Sequence, residues 1–425
     1  MRSVYSFFLY LLTPFILLRL WSKGRRVPAY RDRIAERFGW CTTKTSFDIW
    51  IHAVSLGEVI AATPLIDELL NRNRRLIITT MTPTGAAQVK TRFGDQVVHR
   101  YIPYDLPGAM RRFYKANNPG VGVIMETEIW PNLIAQASKC SIPLLLVNAR
   151  LSPRSFQGYE KIKFLLKPLL NQYHNIIAQS ADDASRFTKL GVDAARVLVF
   201  GNVKFDQKTQ NIDSSFAISL KKSWGSGRTV LIAASTHDNE EEQILASLKS
   251  LQQAIPGVIL LIAPRHPERF QSVFNLCKQY GFKTGLRSQS ASLGLDNEVV
   301  VLDSLGELLG FYQISDYAFV GGSLVPVGGH NVLEPIAMGI PVLTGMHVHN
   351  FKSICEDLQG AKAIELVANA SELMQKIAAL HTDSERRNSL VANATRVLEA
   401  NKGAVKRYAE KIESLRIHQK QVGSF

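Results

Sequence analysis

Residues 317–345 read YAFVGGSLVPVGGHNVLEPIAMGIPVLTG, and the way this stretch is punctuated sets the fold. The apolar run Tyr317 to Val320 has the length of a buried parallel strand. Gly321–Gly322 end the run, Gly328–Gly329 close a loop, and His330 and Asn331 open a helix whose apolar face is Leu333, Ile336 and Ala337. Gly339 stops that helix, Pro341 restarts the chain, and Val342–Leu343 begin the next strand. Strand, glycine loop and helix start, in this order, gather free backbone N–H groups and a positive helix end at one point, an arrangement suited to phosphate. Glu334, one turn into the helix, is placed to accept hydrogen bonds from a ribose diol. The same glycines also serve a tight turn that binds nothing, so the choice rests on the rest of the chain.

Working outward, TVLIAAS (229–235), GVILLIAPRH (257–266) and EVVVLD (298–303) precede this stretch as strands separated by helical segments, and PVLTG (341–345) ends it. A similar set lies in the first half: IWIHAV (49–54), RLIITT (75–80), VGVIME (121–126), PLLLVN (143–148), NIIAQ (175–179) and VLVFG (197–201). Between them, near 202–228, the chain turns polar at KFDQKTQNIDSS. A length of 425 residues exceeds one ordinary core. The pattern predicts two Rossmann-like α/β domains with a cleft between them and ligands at the carboxyl ends of the strands. The expected segments are an N-terminal anchor (1–22), a first domain (23–204) and a second domain with the C-terminal helices (205–425). The charged tail, 384–418, is expected to pack as a helix across both domains.

Val4 to Leu18, VYSFFLYLLTPFILL, is almost wholly apolar, with Pro14 inside it and Trp21 just beyond. A membrane-embedded helix, a cleaved signal peptide and a core helix all begin from such a run. No A-x-A-like site follows, and the flanks favour the membrane helix. Lys23, Arg25, Arg26, Arg31, Arg33 and Arg37 follow the run, against Arg2 before it, which places the body of the protein on the cytoplasmic side of the membrane. Of the net charge of +14, residues 1–200 carry +13. The first domain therefore meets something anionic, and KIKFLLKPLLNQY (161–173) has the pattern of a basic amphipathic helix. The basic balance alone also fits a non-enzymatic binder of anionic lipid or nucleic acid, yet no nucleic-acid-binding motif is present. The four cysteines, Cys41, Cys140, Cys277 and Cys355, show no CxxC and no zinc spacing.

Candidate chemistry sits where strands end. HAVSLGE (52–58) turns at Ser55 and Gly57 into a helix, with Glu58 as either a helix-start charge or a general base. METEIWPN (125–132) brings Glu126 and Glu128, of which one is expected to point into the cleft and the other away. NVKFD (202–206) places Lys204 at the crossing between domains. In the second half, APRHPERF (263–270) presents Pro264 and Arg265, whose planar fork suits phosphate. SLGEL (304–308) adds Leu305, Gly306 and Glu307, and the opening stretch adds Asn331, Val332, Leu333 and Glu334. There is no DxD, so no carboxylate pair for a divalent ion is evident, and no cofactor is expected.

ERFG (36–39), HAVSLGE, METEIWPN, GNVKFD, APRHPERF and VGGHNVLEPIAMGIPVLTGMHVHNF together resemble the 3-deoxy-D-manno-octulosonic acid (Kdo) transferases of lipopolysaccharide assembly, over nearly the whole chain. The resemblance implies a GT-B glycosyltransferase fold and transfer of Kdo, with inversion, from CMP-Kdo to lipid IVA, the lipid A precursor. It implies Glu58 as proton acceptor and Glu128 and Lys204 as transition-state stabilisers. It also implies CMP contacts at Pro264, Arg265, Leu305–Glu307 and Asn331–Glu334. The partners implied are the donor, the lipid acceptor and inner-membrane lipids, with no nucleic acid. The alternative within the same fold is an envelope-lipid transferase using a UDP-sugar.

Overall fold

The computed structural model describes residues 2–41, 44–206, 214–225, 227–289 and 293–422. Most of the polar linker, 207–213, lies outside these described residues. The chain forms two units, Met1–Gln207 with Asn401–Phe425, and Lys208–Ala400.

In the first unit seven strands, β1 (Phe47–His52), β2 (Leu76–Thr80), β3 (Val98–Tyr101), β4 (Pro119–Met125), β5 (Leu144–Ala149), β6 (Asn175–Ala178) and β7 (Val197–Val199), pair in the order β3-β2-β1-β4-β5-β6-β7. Each pairing is parallel. A parallel sheet is covered on both faces, and β1 shows why its sequence tolerates that. Ile49 and Ile51 join one core with Val59, Leu65 and Leu69 of the helix Leu56–Asn71. Phe47 and Trp50 join the opposite core with Met110 and Phe113 of the helix Pro107–Asn117. Trp50 is fully buried, and its indole N–H donates to Thr79 Oγ1 at 2.8 Å, so its one polar atom is satisfied.

The second unit repeats the architecture. Strands β8 (Val230–Thr236), β9 (Ile259–Pro264), β10 (Thr284–Leu286), β11 (Val299–Val301), β12 (Tyr317–Val320), β13 (Val342–Gly345) and β14 (Glu365–Val367) pair in parallel in the order β10-β11-β9-β8-β12-β13-β14. The expected strands are present in both halves. The three not anticipated, β3, β10 and β14, are sheet edges of three or four residues. Such strands carry too little apolar pattern to stand out.

The tail departs from expectation. Instead of one helix across two domains, there is a helix Ser384–Asn401, a break at Gly403 (φ +73°) and a last helix Ala404–Val422 that returns to the first unit. Val405, Tyr408, Ala409 and Ile412 repeat at helical spacing and bury into the core that holds Ile49 and Val121. The Asp206 carboxylate accepts from the N–H groups of Gly403 (2.9 Å) and Val405 (2.8 Å), tying down the start of this helix. The Tyr408 hydroxyl donates to the Gly201 carbonyl at 3.0 Å. The boundary expected at 204/205 thus leaves out a piece of the first unit, residues 401–422.

The N-terminal helix runs Arg2–Arg26, longer than its apolar run and straight through Pro14. It is long and apolar enough to cross a membrane. Phe7, Phe8, Leu11, Phe15 and Leu18 are exposed, whereas Ser6 and Leu20 are buried on the first unit. The Asn132 amide donates to Ser6 Oγ at 3.0 Å. The amphipathic segment 161–173 holds one helix, Lys163–Leu170, which is separate from the helix Pro153–Glu160 before it, so the stretch after Pro153 is not one continuous helix. Leu166 and Leu170 are buried, while Ile162 and Phe164 face outward.

Candidate active site

Four side chains of the first unit meet at the carboxyl ends of its strands. Ser55 ends the turn after β1, and Glu58 lies in the first turn of the following helix. One Glu58 carboxylate oxygen accepts from the Val54 N–H at 2.8 Å and the other from Ser55 Oγ at 3.3 Å. Burial pushes this carboxyl up to about 8, against the pull of the Val54 hydrogen bond, and the charges of Glu126 and Glu128 push the same way.

Glu126 follows β4 in the left-handed region, at φ +58°. Few residues other than glycine sit there, and holding one costs of order 1–3 kcal/mol. Glu126 and Glu128 both act on Glu58, so the expectation that one would face away is corrected: residues two apart on a strand share a face. Lys204 Nζ pairs with Glu126 Oε1 at 3.1 Å, so Lys204 belongs to this cluster and its ion-pair partner is Glu126. Glu128 accepts from the Trp130 indole at 2.6 Å, its backbone carbonyl takes the Tyr173 hydroxyl at 2.7 Å, and burial raises its carboxyl. The sequence reading chose Glu58, Glu128 and Lys204. Glu126 is the member it left aside, although its strand-end position was the available signal.

In the second unit a cavity of about 340 Å³ opens where β9, β11 and β12 end. Pro264, Arg265, Leu305, Gly306, Glu307, Asn331 and Glu334 line it, so the three expected strand ends do converge. Val332 and Leu333 are buried behind it and offer no side chain to the cavity. Arg265 is exposed, its backbone N–H donating to the Thr236 carbonyl at 3.0 Å. Glu307 is fixed by Arg287 at 2.6 Å and by the Ser304 hydroxyl. Gly306 adopts φ +86°, which lets the chain turn at the rim. The Asn331 amide donates to Glu334 at 3.0 Å and its carbonyl accepts from the Leu333 N–H at 3.1 Å, and burial raises the Glu334 carboxyl. Leu305 is 73% exposed at the mouth, an apolar surface on which a flat ring can lie.

The glycine loop itself works differently from the expectation. The N–H groups of Gly322, Ser323 and Leu324 are already directed at one carboxylate, that of the buried Glu240, at 2.7, 2.9 and 2.9 Å. Gly328 and Gly329 donate to the Gly322 carbonyl. An internal anion therefore fills the loop, and the helix after it, Leu333–Ala337, is a single short turn. What the loop delivers to the cavity is His330. Its ring stacks on His237, with the two Nε2 atoms 2.8 Å apart, and His266 lies edge-on to His237. Burial, then His237 and Arg265, hold His330 down at about 4. Glu240 and His237 were not anticipated; the run HDNEEE (237–242) directly after β8 is where they could have been found. Among the described residues no three or more His, Cys, Asp or Glu side chains form a metal-holding group.

Two units, each a parallel Rossmann-like sheet, the second with a polar cavity at its strand ends and the first with a carboxylate cluster at its own, have the architecture of a GT-B-type glycosyltransferase. Residues 32–207 match the family described as 3-deoxy-D-manno-octulosonic-acid transferase (kdotransferase), and residues 231–397 match glycosyl transferases group 1. The 3-deoxy-D-manno-octulosonic acid transferase of Haemophilus influenzae is 41% identical over 412 residues, covering 96% of each chain. The C-terminal CMP-Kdo binding domain of WaaA from Acinetobacter baumannii is similar to 44% of this chain and covers 97% of its own, at 35% identity and a TM-score of 0.42. UDP-GlcNAc 2-epimerase from Neisseria meningitidis shares the fold at 13% identity and a TM-score of 0.51, covering 87% of this chain and 100% of that one. The chain belongs to the 3-deoxy-D-manno-octulosonic acid transferase family.

Proposed function

We propose that this transferase takes Kdo from CMP-Kdo and places it on a phosphorylated glycolipid, lipid IVA, with Glu58 as proton acceptor. The observation that carries the reading is the state of Glu58. A carboxyl held in place by a backbone N–H, with its affinity for protons raised to about 8, is matched to removing a proton from a sugar hydroxyl. The acceptor hydroxyl attacks the anomeric carbon of Kdo as the bond from that carbon to the CMP phosphate oxygen breaks. The hydroxyl proton passes to Glu58, and the bonding pair leaves with CMP. Attack from the face opposite the departing phosphate inverts the anomeric centre.

The second unit takes the nucleotide. The Glu334 and Asn331 pair supplies acceptors and a donor for a ribose, and Arg265 and His330, the latter stacked on His237, line the same cavity to meet the phosphate. Negative charge develops on that phosphate as the bond breaks, which a cation fixed beforehand stabilises. Lys204 serves the first-unit side, neutralising Glu126 so that Glu58 can accept a proton beside two other carboxylates. Glu128, whose carboxylate accepts from the Trp130 indole and whose backbone carbonyl is held by Tyr173, is positioned near the oxocarbenium-like sugar.

The exposed apolar residues of the N-terminal helix, together with Ile162 and Phe164 beside Lys161, Lys163 and Lys167, support attachment to the cytoplasmic face of the inner membrane, where such an acceptor resides. Purified protein incubated with CMP-Kdo and lipid IVA tests the reading. Mass spectrometry is expected to show the acceptor gaining one or more Kdo units, and an unchanged acceptor overturns it.

A further inference from the structure

The sequence motif ERFG (36–39) has no part in the site described so far, yet its arginine occupies an unusual position. A second cavity, of about 590 Å³, lies between the N-terminal helix and the body of the first unit. Leu9, Ile16 and Leu20 line it from the helix, and Met81, Ile129 and Trp130 from the other side. Into this apolar space come three cations, Arg19, Lys23 and Arg37, against one carboxylate, Asp105. Asp105 is already engaged, accepting from the N–H groups of Asn132 (3.0 Å) and Leu133 (2.7 Å).

Arg37 is 1% exposed. Its guanidinium lies over the Tyr101 ring, 4.2 Å from the centroid, beside the Tyr104 phenol, and Nη1 donates to the Met81 carbonyl at 3.2 Å. Nε and Nη2 have no partner among the described residues. These two donors form one edge of the planar fork, the edge that grips two oxygens of a phosphate side by side. A buried guanidinium with that edge idle is unfavourable until an oxyanion completes it. The cavity also adjoins the glutamates: Val54 and Trp130 line it, and these residues donate to Glu58 and Glu128.

We propose that the cavity takes the sugar-phosphate head of the acceptor, that the idle edge of Arg37 binds one of its phosphates, and that Arg19 and Lys23 supply the surrounding positive charge. The apolar wall contributed by the N-terminal helix accommodates the start of the acyl chains. This inference rests on the reading of the acceptor as a phosphorylated glycolipid and adds which residues recognise it.

The test compares wild-type protein with Arg37→Gln in neutral detergent, on lipid IVA and on its two monophosphorylated forms. The expected result is a KM for lipid IVA raised about 10- to 100-fold, as for loss of a bidentate charged contact, with the KM for CMP-Kdo unmoved. On the form lacking the phosphate bound by Arg37, the two proteins are expected to perform alike. An equal loss on all three acceptors, or no loss, overturns the proposal. A loss that appears only in vesicles containing phosphatidylglycerol assigns the guanidinium to bulk lipid and also overturns it. Should Arg37→Gln fail to fold, Arg37→Lys carries the same comparison, since it keeps the charge and removes the fork. If wild-type protein itself modifies none of the acceptors, the functional reading fails; if it modifies them and Arg37 is indifferent to the phosphates, only this inference does.

Discussion

Replacing Glu58 by glutamine separates its chemical role from its structural cost. The amide keeps the shape of the side chain and can still accept from the Val54 N–H, so the turn at Ser55 is preserved. What disappears is a carboxyl whose pKa is lifted from 4.5 to about 8, chiefly by burial. Because the folded-state value lies above the unfolded one, the folded protein binds more protons between those limits. Its stability therefore falls as pH rises through that window, and the loss is complete above pH 8. At 1.36 kcal/mol per unit the full shift corresponds to ~5 kcal/mol. Screening by solvent at a site open to substrate leaves ~2–3 kcal/mol to be recovered by an uncharged side chain. Denaturant unfolding at pH 5 and pH 9 is expected to show Glu58→Gln gaining that much on wild type between the two. Over the same range wild-type turnover is expected to climb to a plateau near pH 8, while the variant loses ~10²–10⁴ in rate and keeps its affinity for CMP. Parallel stability curves, or near-normal turnover in the variant, would refute this reasoning and move the base to Glu126 or Glu128.

Lys204→Ala is expected to slow turnover more than it weakens CMP binding, and to move the inflection of the pH–rate profile to higher pH, since Glu126 would stand unneutralised beside Glu58. A profile that keeps its inflection would count against that pairing. Arg265→Lys is expected to weaken CMP by ~10-fold through loss of the planar fork, with unfolding midpoints unchanged; calorimetric titration with CMP measures it. Catalysis is expected to survive excess EDTA, because the leaving group carries a single phosphate, the sequence has no DxD, and Arg265 and Lys204 supply positive charge in place of a metal. Activity abolished by EDTA and restored by magnesium would overturn this.

Most of the fold was legible because parallel strands covered on both faces are written as unbroken apolar runs, as in RLIITT and PLLLVN. Where a strand is an edge, as at TGL (284–286) and ELV (365–367), that signature shortens to three residues and disappears into its surroundings. The second-unit cavity was legible for a related reason: its residues sit at the ends of the most recognisable strands. The role of the glycine loop was not, since sequence spacing shows that N–H groups are free of helix bonds but not whether a distant carboxylate such as Glu240 already meets them. The same limit hid the Glu126–Lys204 pair. The two residues lie 78 positions apart and meet through a left-handed turn that alternation does not anticipate. The destination of the last helix was equally hidden, because an apolar stripe announces burial without saying against which sheet.

That last helix imposes an order of events on synthesis. Tyr408 and Ile412 complete the core that Ile49 and Val121 begin, so a ribosome that has reached residue 207 has synthesised every strand of the first sheet but not the helix that, with Leu56–Asn71, covers one of its faces. The missing cover emerges about 215 residues later, an interval of ~10–40 s at ordinary elongation rates. Throughout it, the second unit, whose core is its own, can fold while the first leaves part of one apolar face uncovered next to a lipophilic N-terminal helix. The nascent chain thus has reason to be held at the bilayer or by a chaperone until its final turn arrives. For the same reason, residues 1–207 expressed alone would be an unfinished domain, and the second unit, Lys208–Ala400, is the part of this protein suited to isolation.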